Sequence, residues 1–396
     1  MKFVLYTNCV SAHQLPFACE MVSHLGASEV AYVYENVTAA GSQCIDANAQ
    51  WITTDKSVLQ DCEILLVGGL RPISLMERRA QSGRKTYYMS ERWFKPSLGV
   101  LRLAWPPYFK MARRFAKMLR RYDGLVYLPI GIHAARDMAR LCGLMQGDLR
   151  CLFRAPRLEF ERKPGGKIWA SAGNEGTNIR YCLDKMRMWG YFVEKGRGEK
   201  EEEGGCNGDC RPLDVQSPLR VLWVGRMLKW KRVDTIILAV GELSRSPASS
   251  MPNSRAYGFI LDIYGTGQEE TSLKKLASKY GNAVRFYPAV AIDEVRMLMR
   301  EHDVYVLSSN GYEGWGAVVS EALEEGMIVV GTHEAGSCAT ILPESCLFHA
   351  GDWMALEKLL CDNVPKIGIG EWTAKSAGTW MMRDVLGGEG RMLNRT

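Results

Sequence analysis

The feature that most constrains this chain is an alternation of short apolar runs with helix-period segments, played through twice. Phe3–Tyr6 is an apolar run closed by a polar turn. Gln14–Leu25 follows with Leu15, Ala18, Cys19, Val22 and Leu25 at helical spacing and Pro16 in its first turn. Ile64–Val67 ending in Gly68-Gly69, Tyr87–Met89, and Leu125–Leu128 ending in Pro129 read as buried strands, with a helix over about Ala134–Leu141. A second series begins at Val221–Val224. It continues through a helix at Val233–Leu243, a strand at Phe259–Tyr264, a helix at Thr271–Tyr280, a strand at Val284–Tyr287 and a helix at Asp293–Arg300. Val304–Leu307, Val318–Leu323 and Met327–Val330 complete it. Strand–helix alternation predicts parallel, doubly wound sheets. Two such series predict two Rossmann-like α/β domains, with ligands bound at the carboxyl ends of the strands in the cleft that two such domains imply.

The break between the series is compositional. Glu194-Lys195-Gly196 through Ser217-Pro218 is rich in Gly, Glu and Lys with almost no large apolar residue. The chain therefore divides into an N-terminal domain at 1–195, a linker or exposed loop at 196–218, a C-terminal domain at 219–370 and a terminal helix and tail at 371–396. Charge divides at the same place. Residues 1–195 hold 28 Lys and Arg against 17 Asp and Glu, a net +11, so the overall +6 leaves −5 for the rest. A basic half points to an anionic partner: nucleic acid, an anionic membrane or a phosphorylated substrate. With 47% hydrophobic and 24% charged residues, disorder and fibrous repeats are excluded.

The 12 cysteines are scattered, which fits a reducing cytoplasm. Cys19, Cys142 and Cys182 fall inside apolar runs and read as buried small hydrophobes. Cys206 and Cys210 have a zinc-like spacing, but no second pair accompanies them and linker is the plainer reading. The opening Met1–Tyr6 begins like a signal peptide, yet its apolar run stops at Thr7-Asn8. No run approaches the roughly 18 apolar residues of a membrane span.

Three segments of the second series carry chemistry. Gly225-Arg226-Met227-Leu228-Lys229-Trp230-Lys231 follows a strand directly, and Arg226 and Lys231 would suit a diphosphate as a fork and a point charge, or stand as solvated surface cations. Gly265-Thr266-Gly267 is a GxG turn without the third glycine of a dinucleotide fingerprint, Glu270 standing in its place. Ser308–Ala322 is a strand end, a loop broken by glycines and a helix start. Its Glu313 and Glu321 make sense as hydroxyl ligands at the two ends of a diphosphate, a sugar on one side and a ribose on the other; the plainer alternative is a capped helix with two exposed glutamates.

Here the chain resembles a known family. Glu313-x7-Glu321, Gly225-Arg226-x4-Lys231, Ile263-Tyr264-Gly265-Thr266-Gly267 and Gly336-Ser337 stand in order over residues 220–350 as in the donor domain of the retaining GT-B glycosyltransferases, group 1, family 4. Glu313-Gly314-Trp315-Gly316-Ala317-Val318-Val319 resembles members from bacterial capsule and exopolysaccharide clusters. The resemblance implies a GT-B fold and transfer of a sugar from a nucleotide-diphosphate sugar, with retention of anomeric configuration, in cell-surface polysaccharide biosynthesis. It implies that Glu313, Lys231 and Arg226 are the catalytic set. The donor contacts would be Arg226, Lys231, Gly265, Gly267, Val290 (framing the base), Gly314, Trp315, Gly316, Ala317 and Glu321. It also implies no cofactor and no metal, the two cations replacing one, and a last helix over Trp372–Leu386 that crosses back to the first domain. In the first domain the match is weaker, Asn8–His13 replacing the usual Gly-Gly turn. The acceptor-binding candidates there are His13, Glu91, Arg92 and Gly131, with His133 beside them.

Residues 101–121 hold seven cations and no acid. On a helix, Lys110–Arg121 gathers its cations on an arc of about 120° opposite Met111, Ala112, Phe115, Ala116, Met118 and Leu119. A basic amphipathic helix flanked by Trp105, Tyr108 and Phe109 suits an anionic membrane interface, or a surface helix packed on its own core. The resemblance implies a lipid-linked or oligosaccharide acceptor. The expectation is thus a cytoplasmic enzyme, or one peripheral at the inner face of the membrane, rather than a nucleic-acid binder, whose aromatic platforms are missing. The alternatives are a sugar-nucleotide epimerase of the same fold and a non-catalytic GT-B partner protein.

Overall fold

The computed structural model describes residues 1–11, 14–36, 49–163, 165–171, 179–189, 217–245, 258–361 and 380–382. The chain forms two compact units, Met1–Phe192 with Trp372–Thr396, and Val193–Glu371.

In the first unit the elements run β1 (Phe3–Cys9), α1 (Leu15–Leu25), β2 (Val30–Asn36), β3 (Ile52–Thr53), β4 (Ile64–Gly68), α2 (Ile73–Gln81), β5 (Lys85–Ser90), α3 (Pro106–Arg121), β6 (Leu125–Pro129) and α4 (Ile132–Met145). The strands form one parallel sheet in the order β3-β2-β1-β4-β5-β6, the doubly wound order. β1 and β4 read as unbroken apolar runs because both faces are covered: Phe3, Val4, Leu5 and Ile64–Val67 are all fully buried. A small antiparallel hairpin of β7 (Leu158–Phe160) and β8 (Ile168–Ala170) and the short α5 (Arg180–Asp184) follow. Met381 is buried in this unit's core, and Trp380 meets the rings of Tyr87 and Trp189 edge-on.

Two sequence expectations change here. Cys142 and Cys182 are buried, but Cys19 is exposed. Helix α1 turns Phe17, Ala18 and Met21 inward, and Cys19 stands about 100° around from Ala18 on the solvent side. Helix α3 begins earlier than Lys110, with Pro106-Pro107 in its first turn. Its apolar arc is used by the unit's own core. Phe115 packs among Tyr88, Trp93 and Tyr127, and Tyr108 donates its hydroxyl to Trp93 O at 2.7 Å. The apolar groups left facing solvent lie ahead of that arc: Leu101, Trp105 and, at the helix's first turn, Phe109.

The second unit repeats the plan: β9 (Leu219–Val224), α6 (Val233–Arg245), β10 (Phe259–Tyr264), α7 (Glu270–Ala277), β11 (Val284–Tyr287), α8 (Ile292–Glu301), β12 (Val304–Leu307), α9 (Val318–Glu324), β13 (Ile328–Thr332), α10 (Gly336–Ile341), β14 (Leu347–Phe348) and α11 (Trp353–Cys361). Its parallel order, β11-β10-β9-β12-β13-β14, is the same doubly wound order. The expected helix at Thr271–Tyr280 ends at Ala277, and a short turn carries Tyr280 into contact with Gly241.

One buried charge braces this sheet. Asp262, in the middle of β10, is 1% exposed. Arg285 of β11 meets it at 2.7 and 3.1 Å, His302 Nε2 at 3.0 Å and Arg220 of β9 at 3.3 Å. Burial opposes ionisation of this carboxyl, but the hydrogen bonds from His302, Arg285 and Arg220 outweigh it and hold the pKa at about 2. A pKa depressed on folding stabilises above the unfolded value near 4 and ceases to do so as pH falls towards 2. Asp262→Asn should therefore cost on the order of 2 kcal/mol at pH 7, and the gap between variant and wild type should narrow below pH 4. Thermal unfolding from pH 7 to pH 3 checks this; a gap that does not change with pH contradicts it.

Candidate functional site

Strands β9 and β12 are neighbours, with Val304 opposite Val221 and Tyr305 opposite Leu222. Parallel pairing therefore delivers their following loops, 225–232 and 308–317, to the same edge of the sheet. The loops are tied through the main chain: Asn310 N donates to Trp230 O at 2.9 Å, and Ser308 Oγ donates to Lys231 O at 2.7 Å. At their centre Lys231 Nζ lies 2.5 Å from Glu313 Oε2, and Ser309 Oγ donates to that same oxygen at 2.7 Å. The two side chains are only 17% and 12% exposed, so their attraction is far less screened than that of a surface pair. Lys231 Nζ also stands 4.5 Å from the Trp230 ring centroid. Arg226, on the same loop, is exposed.

Glycines let the loops close. A Cβ on Gly265 would lie 1.9 Å from Gly225 O, and one on Gly267 2.4 Å from Met227 O. Met227 N in turn donates to Thr266 O at 2.8 Å. The GxG turn thus seats the loop after β10 against the one carrying Arg226 and Lys231. Gly316, at φ 84°, sits where a Cβ would come within 2.9 Å of Leu307 Cδ2 and 3.1 Å of Ser337 Oγ. Ser337 N donates to Trp315 O at 2.8 Å, which fixes the far end of the second loop, and the Trp315 side chain is buried. Glu321 is half-buried on α9. Val290, between β11 and α8, is half-buried too. Cys338 is buried on α10; burial pushes its thiol up to about 12, with the Glu313 charge adding to the effect, so it is neutral near pH 7. A cavity of about 740 Å³ lies beside the first loop, lined by Trp230, Arg232, Asp234, Glu269, Asn310 and Tyr312, but neither Lys231 nor Glu313 opens into it. Among the described residues no group of three His, Cys, Asp or Glu side chains is placed to hold a metal ion.

The first-unit candidates fall at the ends of two adjacent strands. Glu91, just past β5, is exposed and 3.7 Å from Lys95. Arg92 Nε lies 3.4 Å from Asp137 Oδ2, which also accepts Phe94 N at 2.9 Å. Burial pushes the Asp137 carboxyl up, against the pull of Arg92. Gly131, at φ 84°, opens α4, and His133 is half-buried on its first turn. His13, Cys206 and Cys210 lie outside the described residues, as do 190–216. Sequence reading passed over the hydroxyls of Ser308 and Ser309, which carry no motif of their own. It also passed over Arg136, whose pKa is lowered by burial and by the neighbouring charges of Arg92 and Arg157; no spacing in the chain links those three.

A model of the glycosyl transferases group 1 matches residues 213–362. An uncharacterized glycosyltransferase of Methanocaldococcus jannaschii is 27% identical over 128 residues, which are 32% of this chain. The chain spans about a third of the length of that relative, 31%. Among solved structures, Anabaena HepE in complex with UDP is 11% identical, with 97% of this chain and 95% of that one covered and a TM-score of 0.54. The lipopolysaccharide outer core galactosyltransferase WaaB is 12% identical, with 98% and 96% covered and a TM-score of 0.53. The likeness runs nearly end to end and shows the fold to be the two-unit α/β GT-B architecture.

The loop packing is open to a direct check. Gly265→Ala should push the two loops apart and cost about 1–3 kcal/mol. Urea unfolding should show a lower midpoint; an unchanged midpoint contradicts the close approach of Gly265 to Gly225.

Proposed function

We propose that this chain is a nucleotide-sugar-dependent glycosyltransferase whose donor site is built on the loops after β9 and β12. The observation that carries the reading is the Lys231–Glu313 pair, two motif residues 82 positions apart in the chain and held at 2.5 Å. Transfer of a glycosyl group from a nucleoside diphosphate needs two things at one place: positive charge for the departing diphosphate and an acceptor for the hydroxyls of the transferred sugar. Arg226 and Lys231 supply the first. Glu313 supplies the second through Oε1, which has no partner among the described residues. Main-chain N–H groups of Gly314–Ala317 touch sugar and phosphate, Val290 frames the base and Glu321 takes the ribose hydroxyls.

In this reading Glu313 is not a covalent nucleophile, because a carboxylate committed to an ammonium and a hydroxyl is a weak one. Retention then follows from attack on the face the diphosphate leaves, with the two cations holding the leaving group and no metal required. The UDP complex of Anabaena HepE supports a nucleoside diphosphate as the ligand class. The acceptor is a saccharide bound by the first unit near Arg92 and Gly131, in cell-surface polysaccharide assembly.

A lipid-linked acceptor would bring the chain to a membrane. No helix among the described residues is long and apolar enough to cross one. Helix α3 presents Lys110, Arg113, Lys117, Arg120 and Arg121 to solvent, with Trp105 63% and Leu101 69% exposed beside its start. Cations with an exposed Trp and Leu suit the headgroup layer of an anionic bilayer. Because the apolar arc of α3 is packed inward, adsorption would rest on charge and on these few side chains.

A panel of UDP-, GDP- and ADP-sugars, scored by calorimetric binding and slow hydrolysis, should give at least one ligand; binding by none of them defeats the reading. With the ligand found, Lys231→Ala should weaken nucleotide binding about tenfold or more, and Glu313→Ala should lower turnover more than affinity. For the membrane, co-sedimentation with phosphatidylglycerol vesicles should fall when Arg113, Lys117 and Arg121 are changed to Glu. Undiminished sedimentation would remove α3 from the proposal.

A further inference from the structure

The motif accounts for Lys231 and Glu313 but not for the two serines between β12 and the motif. Ser308 and Ser309 are both 0% exposed. A buried hydroxyl costs stability unless it is bonded, and each of these is bonded to one member of the pair. Ser308 Oγ donates to the main-chain oxygen of Lys231, and Ser309 Oγ donates to Oε2 of Glu313, both at 2.7 Å. The carbonyl of Ser309 is itself gripped by the Thr332 hydroxyl at the end of β13.

Glu313 Oε2 therefore has two donors of different character. Lys231 is a flexible stem with a point charge, and the proposed reaction directs that charge at a diphosphate. Ser309 is a short side chain on a strand end pinned by its neighbour. When phosphate oxygens compete for Lys231, Ser309 is the donor that keeps Oε2 in place and so keeps Oε1 turned toward the sugar. We propose that Ser309 is a positioning residue for Glu313, and that Ser308 does the same for Lys231 through its backbone. This rests on the donor-site reading above. The two serines separate the two halves of the site, one acting on turnover and the other on nucleotide affinity.

The test uses the full chain with UDP-glucose, GDP-mannose and ADP-glucose as probes, hydrolysis as turnover, and calorimetry of the matching free nucleotide. Ser309→Ala should lower kcat about tenfold to a hundredfold, as expected for deleting a hydrogen bond to a charged group, with nucleotide affinity within about twofold of wild type. Ser308→Ala should instead weaken nucleotide binding several-fold with a smaller change in kcat. In a Glu313→Gln background, Ser309→Ala should change kcat by less than about threefold, because the hydroxyl acts through that carboxylate. Ser309→Cys keeps the volume with a weaker donor and serves the same comparison if the alanine variant does not fold. An active wild type with an unaffected Ser309→Ala, or full multiplication of the two losses in the double variant, overturns this inference and leaves the donor site standing. A wild type that neither binds nor hydrolyses any probe overturns both.

Discussion

The ion pair between Lys231 and Glu313 is the contact on which the proposed donor site depends. Neither residue could find the other through local sequence. The pair exists because β9 and β12 are sheet neighbours although β10 and β11 come between them in the chain. That crossover is the reversal point of a doubly wound sheet, where loops from the two directions of winding part and a crevice opens. Everything else at the site maintains this meeting: glycines that let three loops approach, buried hydroxyls that tie main chain to main chain, and a thiol kept neutral by burial.

The molecule holds two kinds of buried charge, and their surroundings separate the roles. Asp262 is 1% exposed and surrounded by Arg285, Arg220 and His302, so it braces the sheet and has no capacity left for a ligand. Arg79, fully buried in the first unit, likewise gives its guanidinium to the carbonyls of Leu59, Gln60, Cys62 and Lys85 and to the Thr86 hydroxyl. Glu313 differs in having one carboxylate oxygen occupied and the other open among the described residues. An incompletely satisfied, partly buried charge is costly to keep for structural reasons alone, which is why it reads as a place for a ligand.

Much of this was legible in the chain. Strands covered on both faces are continuous apolar runs, so β1, β4, β9, β10 and β12 announce themselves, and the loops after β9 and β12 carry their cations and carboxylates at motif spacing. What stayed hidden is whatever depends on three dimensions. The two-residue β3 and the β7–β8 hairpin are too short to show a period. Asp262 sits inside an apolar run and gives no hint of three side-chain partners, Arg220, Arg285 and His302, from other elements. Helix α3 is plainly amphipathic, but only its packing against Tyr88, Trp93 and Tyr127 shows that its apolar arc faces inward. Ser309 is the sharpest case: serine is common at strand ends, and only the 2.7 Å approach to Glu313 distinguishes this one.

In the proposed donor site one nucleotide sugar touches both loops, its diphosphate and sugar held after β9 and β12. Hydrogen–deuterium exchange of the full chain, with and without a saturating nucleotide sugar, tests it most directly. Slowed exchange is expected in peptides covering residues 225–232 and 308–317 together, since one ligand bridges both. Protection of neither loop, or of one without the other, would contradict it.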